Sequence, residues 1–403
     1  MRRVAITGIG IISSIGKTTD EFWRSLAAGR TGIRPIVTAD MADIRFKYGA
    51  EISDYSSQPY FEEKRADFLD RFAQFAVIAA REAVAQAHID WNEKLRETAA
   101  IITGSCIGGQ STEDTGFQDV YRLARNRVHP LTIPKTMANA GASHISMEFG
   151  ITGACYTIAT ACSSSTHAIG QAYWMVRSGQ TDLALAGGSE APFSFGLLKS
   201  WEAMRVVSPE TCRPFSNDRT GMIIGEGGAM LVLEPLEAAR SRGAEIIGEI
   251  RGFGMSSDAS HITQPSADGA AKAMRNALAD ARIPPEEIGY VNAHGTATRV
   301  NDITETEALR KVFGERLDRT PVSSTKSMHG HGLGVAGALE AAAAILALKN
   351  GILPPTANFR EPDPECAIDV VPNNARVAQV EWAISNSFAF GGLNAVLVFR
   401  TPD

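Results

Sequence analysis

Residues 157 to 170 read TIATACSSSTHAIG, a run of β-branched and small residues that ends abruptly at Cys162 and gives way to a helix-compatible run of Ser, Ala and Gly. A short strand running straight into a helix is the repeating step of an α/β protein. The same rhythm extends outward on both sides. Upstream lie the strand-like RRVAITGIG (2–10) and AAIITGS (99–105), with the helical FAQFAVIAAREAVAQAHI (72–89) between them. Downstream come LALAGGSEA (183–191) and GGAMLVLEP (227–235). From about residue 246 a second series of similar rhythm begins. It runs through EIIGEIRGFGMSSD, a helix over 270–283, the strand IGYVNAH (288–294), a helix over 304–313 and PVSSTK (321–326). A helix over 337–351 and the closing strands EWAISNSF and NAVLVF complete it. Two halves of one rhythm predict an internal structural duplication divided into 1–245 and 246–403. The proline-rich LPPTANFREPDPE (353–365) reads as a surface crossing rather than a boundary.

Bulk composition narrows the function. The 403 residues are 44% hydrophobic and 21% charged, ordinary for a globular protein, and the net charge of −6 offers no domain-scale basic excess for nucleic acid. Five cysteines contain no C-x-x-C pair, so neither structural zinc nor a disulfide framework is expected, and a reducing, cytoplasmic setting fits. The glycine-broken N-terminus reads as strand and turn, not a signal peptide. No run of about 18 apolar residues is read, so no membrane span is expected.

Cys162 is the first candidate for chemistry. A thiol at a helix N-terminus faces free N–H groups and the positive end of the helix dipole, both favouring thiolate. The bland alternative is a buried small hydrophobe. Among eight histidines, two stand apart. His294 ends a strand in VNAHGTAT, and His331 sits in the glycine-rich TKSMHGHGLGVAGALE before a helix; loops of this kind hold reacting groups. His88, His129, His144 and His167 read as capping, surface or satisfied structural groups.

The ordered segments ITGIGIISSIG, TACSSS, RPFSNDRTG, NAHGTAT, STKSMHGHGLGVAGALE and NSFAFGGLN together resemble the elongating β-ketoacyl-acyl-carrier-protein synthases, the synthase I and II group, over essentially the whole chain. That resemblance implies an α/β thiolase-like fold of two duplicated halves in a five-layered α-β-α-β-α arrangement, dimeric, as a homodimer or alternatively a heterodimer. It implies that Cys162 accepts an acyl chain from an acyl carrier protein. His294 and His331 would assist decarboxylation of the malonyl thioester. Lys326 would hold the electrostatic balance near His331. The backbone N–H groups of Cys162 and Phe390 would form an oxyanion hole. Thr296 and Thr298 match the pair that binds the phosphopantetheine arm, which arrives on the carrier, so no cofactor or metal is implied. Phe390 matches a gating aromatic, with Gly391 and Gly392 as its pivot. Glu340 matches a structural acid near the histidines, in some members beside a monovalent cation, and Ile107 a residue lining the acyl pocket. Lys64, Arg65 and Arg205 match carrier-docking positions.

The chain also departs from the pattern. Thr220 stands where the family commonly has Asp, Arg299 where it has Pro, His329 where it has Thr, and Leu393 where it has Thr. The basic cluster near 64–70 is cut short by Asp67 and Phe68. The stretches at 204–216 and 353–365 resemble specialised ketosynthases, of the rhizobial nodulation or polyketide type, more than a housekeeping synthase.

Competing readings are weaker. A thiolase needs a second catalytic Cys, and Cys366 lacks the setting; an initiating synthase carries Asn where a second His stands here. A non-catalytic, chain-length-controlling partner subunit typically lacks the reactive Cys. The G-x-G of ITGIG lacks the third glycine and the acidic residue of a dinucleotide site.

Overall fold

A computed structural model describes residues 1–403. Ten strands form the main sheet. They are β1 (Val4–Ser13), β2 (Ala100–Gly104), β3 (Cys155–Ile158), β4 (Ala184–Glu190) and β5 (Gly227–Pro235), then β6 (Gly248–Ser257), β7 (Ile288–Asn292), β8 (Val322–Ser323), β9 (Trp382–Ala389) and β10 (Leu393–Arg400). Seven helices matter here. They are α1 (Arg71–Ala87), α2 (Ser164–Ser178), α3 (Phe195–Met204), α4 (Ala267–Ala281), α5 (Arg299–Phe313), the single turn α6 (Lys326–His329) and α7 (Ala336–Asn350).

Strand order is β8-β7-β9-β10-β6-β1-β5-β4-β2-β3. Reading outward from the centre, one arm is β1-β5-β4-β2-β3 and the other β6-β10-β9-β7-β8. Each strand of the second arm is therefore the counterpart of the strand five earlier, so the duplication expected from rhythm is present as topology. The arms join where Val4, Ala5 and Ile6 pair antiparallel with Ile250, Glu249 and Gly248, so the two five-stranded halves form one continuous ladder with a narrow waist.

Layering follows from which faces are apolar. Helix α1 covers β1, β5 and β4, α4 covers β6 and β10, and α2 and α7 lie against each other while touching strands of both arms. Every residue of α7 from Ala336 to Leu348 is buried, as a helix enclosed on all sides requires. Its many alanines let backbones approach closely. A Cβ on Gly337 would overlap Thr166 Oγ1, and the Ala338 N–H donates to Ser165 Oγ at 2.9 Å, while Thr166 and Ser387 hydroxyls lie 2.7 Å apart.

Two sequence readings change here. The run Leu333–Asn350 is, by length and composition, apolar enough to cross a membrane, contrary to the expectation that no such run exists; 89% of it is buried inside the protein, where it forms the central core. The glycines of ITGIG serve packing: a Cβ on Gly8 or Gly10 would overlap the α1 carbonyls of Ala83 and Ala79. They let α1 lie directly on β1, which accounts for the motif without a nucleotide.

Candidate active site

Strand β3 delivers the chain to Cys162 through a strained turn. Ala161 sits at φ +50°, a left-handed conformation that costs a non-glycine residue on the order of 1 kcal/mol. Hydroxyls hold it there. Ser164 Oγ donates to the Ala161 carbonyl at 2.6 Å and accepts from Thr160 N–H at 2.9 Å, and Ser163 Oγ lies 2.8 Å from the Thr160 carbonyl. Ser163 Oγ also reaches the Leu393 carbonyl at 2.9 Å, joining this turn to the opposite arm. Cys162 is only 7% exposed. Burial pushes its thiol up to about 11, overriding the pull of Lys326 and of the Cys162 and Phe390 backbone N–H groups. The thiolate expected from helix-end geometry is therefore corrected: at rest the group is a neutral thiol, because the turn removes the water a thiolate needs.

The second arm supplies the remaining groups. His294 follows β7, Lys326 opens α6, His331 follows α6, and Glu340 lies on α7; all four are buried. The Lys326 ammonium donates to the His294 carbonyl at 2.7 Å and to His294 Nδ1 at 3.2 Å, and its third partner is Glu340 Oε1. Its contacts are thus with His294 and Glu340. On His331 it acts through its field alone. Glu340 is raised to about 7 by burial, against the pull of Lys326, and its Oε2 has no partner. Burial, then the Lys326 charge, drives both His294 and His331 well below the ordinary imidazole range, so both rings are neutral.

Tautomers follow from the partners. Because Nδ1 of His294 faces an ammonium and Nδ1 of His331 accepts from the Leu333 N–H at 3.1 Å, each neutral ring carries its proton on Nε2. The rings stand edge to face, centroids 5.4 Å apart. Both open, with Cys162, onto one cavity of about 460 Å³.

Thr296 and Thr298 line the way in, their hydroxyls 2.9 Å apart. Phe390 forms one wall and stacks on Trp201 of α3 with centroids 6.3 Å apart. Gly391 and Gly392 follow it at φ +84° and +69°; Gly392 lines the cavity, whereas the Gly391 N–H donates to the Ile262 carbonyl at 2.7 Å. At the mouth stand Met204, Arg205, Ile262, Arg299 and Val300. Arg205 is exposed and without an ion pair, while Arg299 pairs with Glu365 at 2.7 Å.

Of the expected residues, Lys326 and Glu340 stand behind the histidines and Gly391 behind Phe390, while Ile107 and the expected docking residues Lys64 and Arg65 lie away from this cavity. Ile107 is half-buried beyond the end of β2 and lies outside the lining. Lys64 is exposed on the short helix Glu63–Ala66, and Arg65 beside it is tied to Glu148. Two buried acids escaped the sequence reading. Glu305 accepts from His294 N–H at 2.8 Å, Gly295 N–H at 2.7 Å and Asn386 Nδ2 at 3.1 Å; Glu190 accepts from Ser105 Oγ and Cys106 N–H at 2.7 Å and from Gly334 N–H at 3.0 Å. Glu305 left a signal: with Asp302 it interrupts the apolar stripe Ala308, Leu309, Phe313 of α5.

The β-ketoacyl synthase N-terminal domain family matches residues 1–239 and the C-terminal domain family residues 247–360. The chain belongs to the β-ketoacyl synthases. These are acyltransferases of thiolase-like fold. Nodulation protein E of Rhizobium sp. (strain N33) is 45% identical over 401 residues, covering 99% of both chains. The 3-oxoacyl-[acyl-carrier-protein] synthase 2 of Staphylococcus aureus (strain COL) is 38% identical, covering 99% of this chain and 98% of its own. Among solved structures, the ishigamide ketosynthase/chain length factor superposes with a TM-score of 0.96 at 37% identity, covering all of both chains.

Proposed function

We propose that this ketosynthase carries out decarboxylative Claisen condensation, extending a fatty-acyl or polyketide chain on a carrier protein by two carbons. The observation that carries this reading is one buried thiol and two neutral, Nε2-protonated imidazoles opening onto a single cavity. In the first half-reaction Cys162 sulfur bonds to the acyl carbon, the carrier sulfur departs, and the thiol proton leaves with it. The Cys162 and Phe390 N–H groups serve the tetrahedral oxyanion. In the second, a malonyl thioester places its carbonyl oxygen against the Nε2–H donors of His294 and His331. Carbon dioxide leaves, and the electron pair becomes an enolate held by those two hydrogen bonds. The enolate carbon then bonds to the acyl carbon, Cys162 sulfur is released and takes up a proton, and a 3-oxoacyl-carrier departs. Neutral imidazoles suit this step because their Nε2–H groups donate hydrogen bonds to the enolate yet are too weakly acidic to quench it with a proton.

Thr296 and Thr298 would hold the phosphopantetheine arm, which arrives on the substrate, so the enzyme needs no cofactor of its own. Arg205, free at the mouth, is the docking cation this reading favours over Lys64 and Arg65. Division of the chain at 245/246 and a cytoplasmic setting, supported by five free thiols, complete the reading. A second copy of this chain is the expected partner. Strand β3 is a free sheet edge whose Cys155 and Tyr156 are exposed, with Met147 exposed on the neighbouring helix. A chain-length-controlling subunit would bind the same edge, but Cys162 with both histidines argues against this chain being that subunit.

Intact-mass analysis after incubation with acyl-carriers of graded length tests the reading. The wild type gains the acyl mass and Cys162→Ala does not; a wild type that never acylates, or a Cys162→Ala variant that condenses normally, overturns it.

A further inference from the structure

His329 departs from the family pattern and has no place in the chemistry above, yet its ring is fully buried two residues before His331. Its Nδ1 lies 2.9 Å from the Gly330 carbonyl and its Nε2 3.0 Å from Thr325 Oγ1. A carbonyl only accepts, so Nδ1 carries the proton and Nε2 accepts from the Thr325 hydroxyl. Burial holds the ring neutral, its pKa lowered to about 3, so this arrangement persists across ordinary pH.

The bond to Gly330 matters because of what that peptide leads to. Gly330 adopts φ +69°, ψ −177°, a conformation open to glycine alone, and a Cβ there would press on Ala50 Cβ at 2.8 Å. At the far end of the peptide the His331 N–H donates to the Ile223 carbonyl at 2.6 Å, and the His331 carbonyl then accepts from Gly225 N–H at 2.9 Å. The peptide plane entering His331 is thus gripped at its carbonyl by His329 and at its amide by Ile223. On the other side Gly330 is held by its own N–H, which donates to the Lys326 carbonyl at 2.9 Å. The His329 ring also packs against Phe22 at 6.1 Å, which keeps it from swinging away.

We propose that His329 is a positioning residue: its Nδ1–H locks the Gly330–His331 peptide and so holds the His331 imidazole in register with His294 for the malonyl step. The inference rests on the condensation reading. It assigns His329 to one half-reaction only, since Cys162 is seated by the other arm and does not depend on this peptide.

Two nearly isosteric variants separate the nitrogens. In His329→Asn the amide N–H takes the position of Nδ1–H and can still donate to Gly330; in His329→Gln it takes the position of Nε2 and cannot. Acyl transfer to Cys162, followed by intact mass, and carbon dioxide release from malonyl-carrier are measured side by side. Acyl transfer should stay within about twofold of wild type in both. Decarboxylation should fall roughly tenfold in the Gln variant, the scale of one or two hydrogen bonds, and stay within about threefold in the Asn variant. Equal losses in the two variants, or acyl transfer falling in step with decarboxylation, would overturn the proposal and reduce His329 to a packing residue. If the Gln variant does not fold, the Asn variant decides, a tenfold fall in its decarboxylation-to-acylation ratio being the contrary result. A wild type inactive in both assays would instead remove the condensation reading itself.

Discussion

Strands β3 and β8 are counterparts in the two arms, and each runs into a helix that lies in the central layer, but the junctions they make are chemically opposite. The β3–α2 junction is built from hydroxyls: Thr160, Ser163 and Ser164 satisfy a strained turn, and no charged group takes part. The β8–α7 junction is built from charge, with Lys326 and Glu340 fully buried beside three imidazoles. A nucleophile held by hydroxyls is kept dry and neutral until a substrate arrives. Beside a buried ion pair His294 and His331 stay neutral with their protons on Nε2, while His329 keeps its proton on Nδ1. The duplication supplies two equivalent seats, and the polar residues decide what each seat does.

The largest effect expected at the charged seat comes from Lys326→Met. It leaves the Glu340 carboxylate buried without its partner and should destabilise the fold by about 3–5 kcal/mol in urea unfolding. The double variant Lys326→Met/Glu340→Leu should recover most of that stability but not decarboxylation. Recovery of both would show that the charge serves folding alone. At the neutral seat, alkylation of Cys162 by iodoacetamide should climb about tenfold per pH unit from 7 to 9, since a thiol raised to about 11 is mostly protonated throughout that window. A plateau below pH 8 would mean that the seat activates the thiol after all. Ser163→Ala removes the hydroxyl shared between Thr160 and Leu393. A loss of about 1 kcal/mol is expected, together with slower acylation and unchanged decarboxylation, in kinetics resolved for each half-reaction. The smallest effect concerns the mouth: Arg205→Ala should raise KM for the carrier a few-fold at unchanged kcat, and Lys64→Ala less, with added salt shrinking the difference.

The sequence carried the rhythm of the sheet and the placement of Cys162, His294 and His331, because strand-to-helix junctions are local and punctuated by glycine and β-branched residues. What it withheld depends on distant partners. Arg65 looked free to dock a carrier, but Glu148, far along the chain, claims it. Lys326 acts on His331, five residues on, through its charge, but its hydrogen bonds to His294 and Glu340 depend on segments far from it in sequence. The resting protonation of Cys162 departs from what its helix-end position favours for a similar reason: helix-end geometry is local, whereas burial is contributed by the whole molecule.

At the seam of the central layer, Thr166 on α2 meets Gly337 on α7, with no room for a single carbon atom between them. For protein engineering this is a compatibility lock. A chimera joining the first arm of one ketosynthase to the second arm of another must inherit residues 166 and 337 from the same parent, or the two seats will sit out of alignment before any substrate is offered.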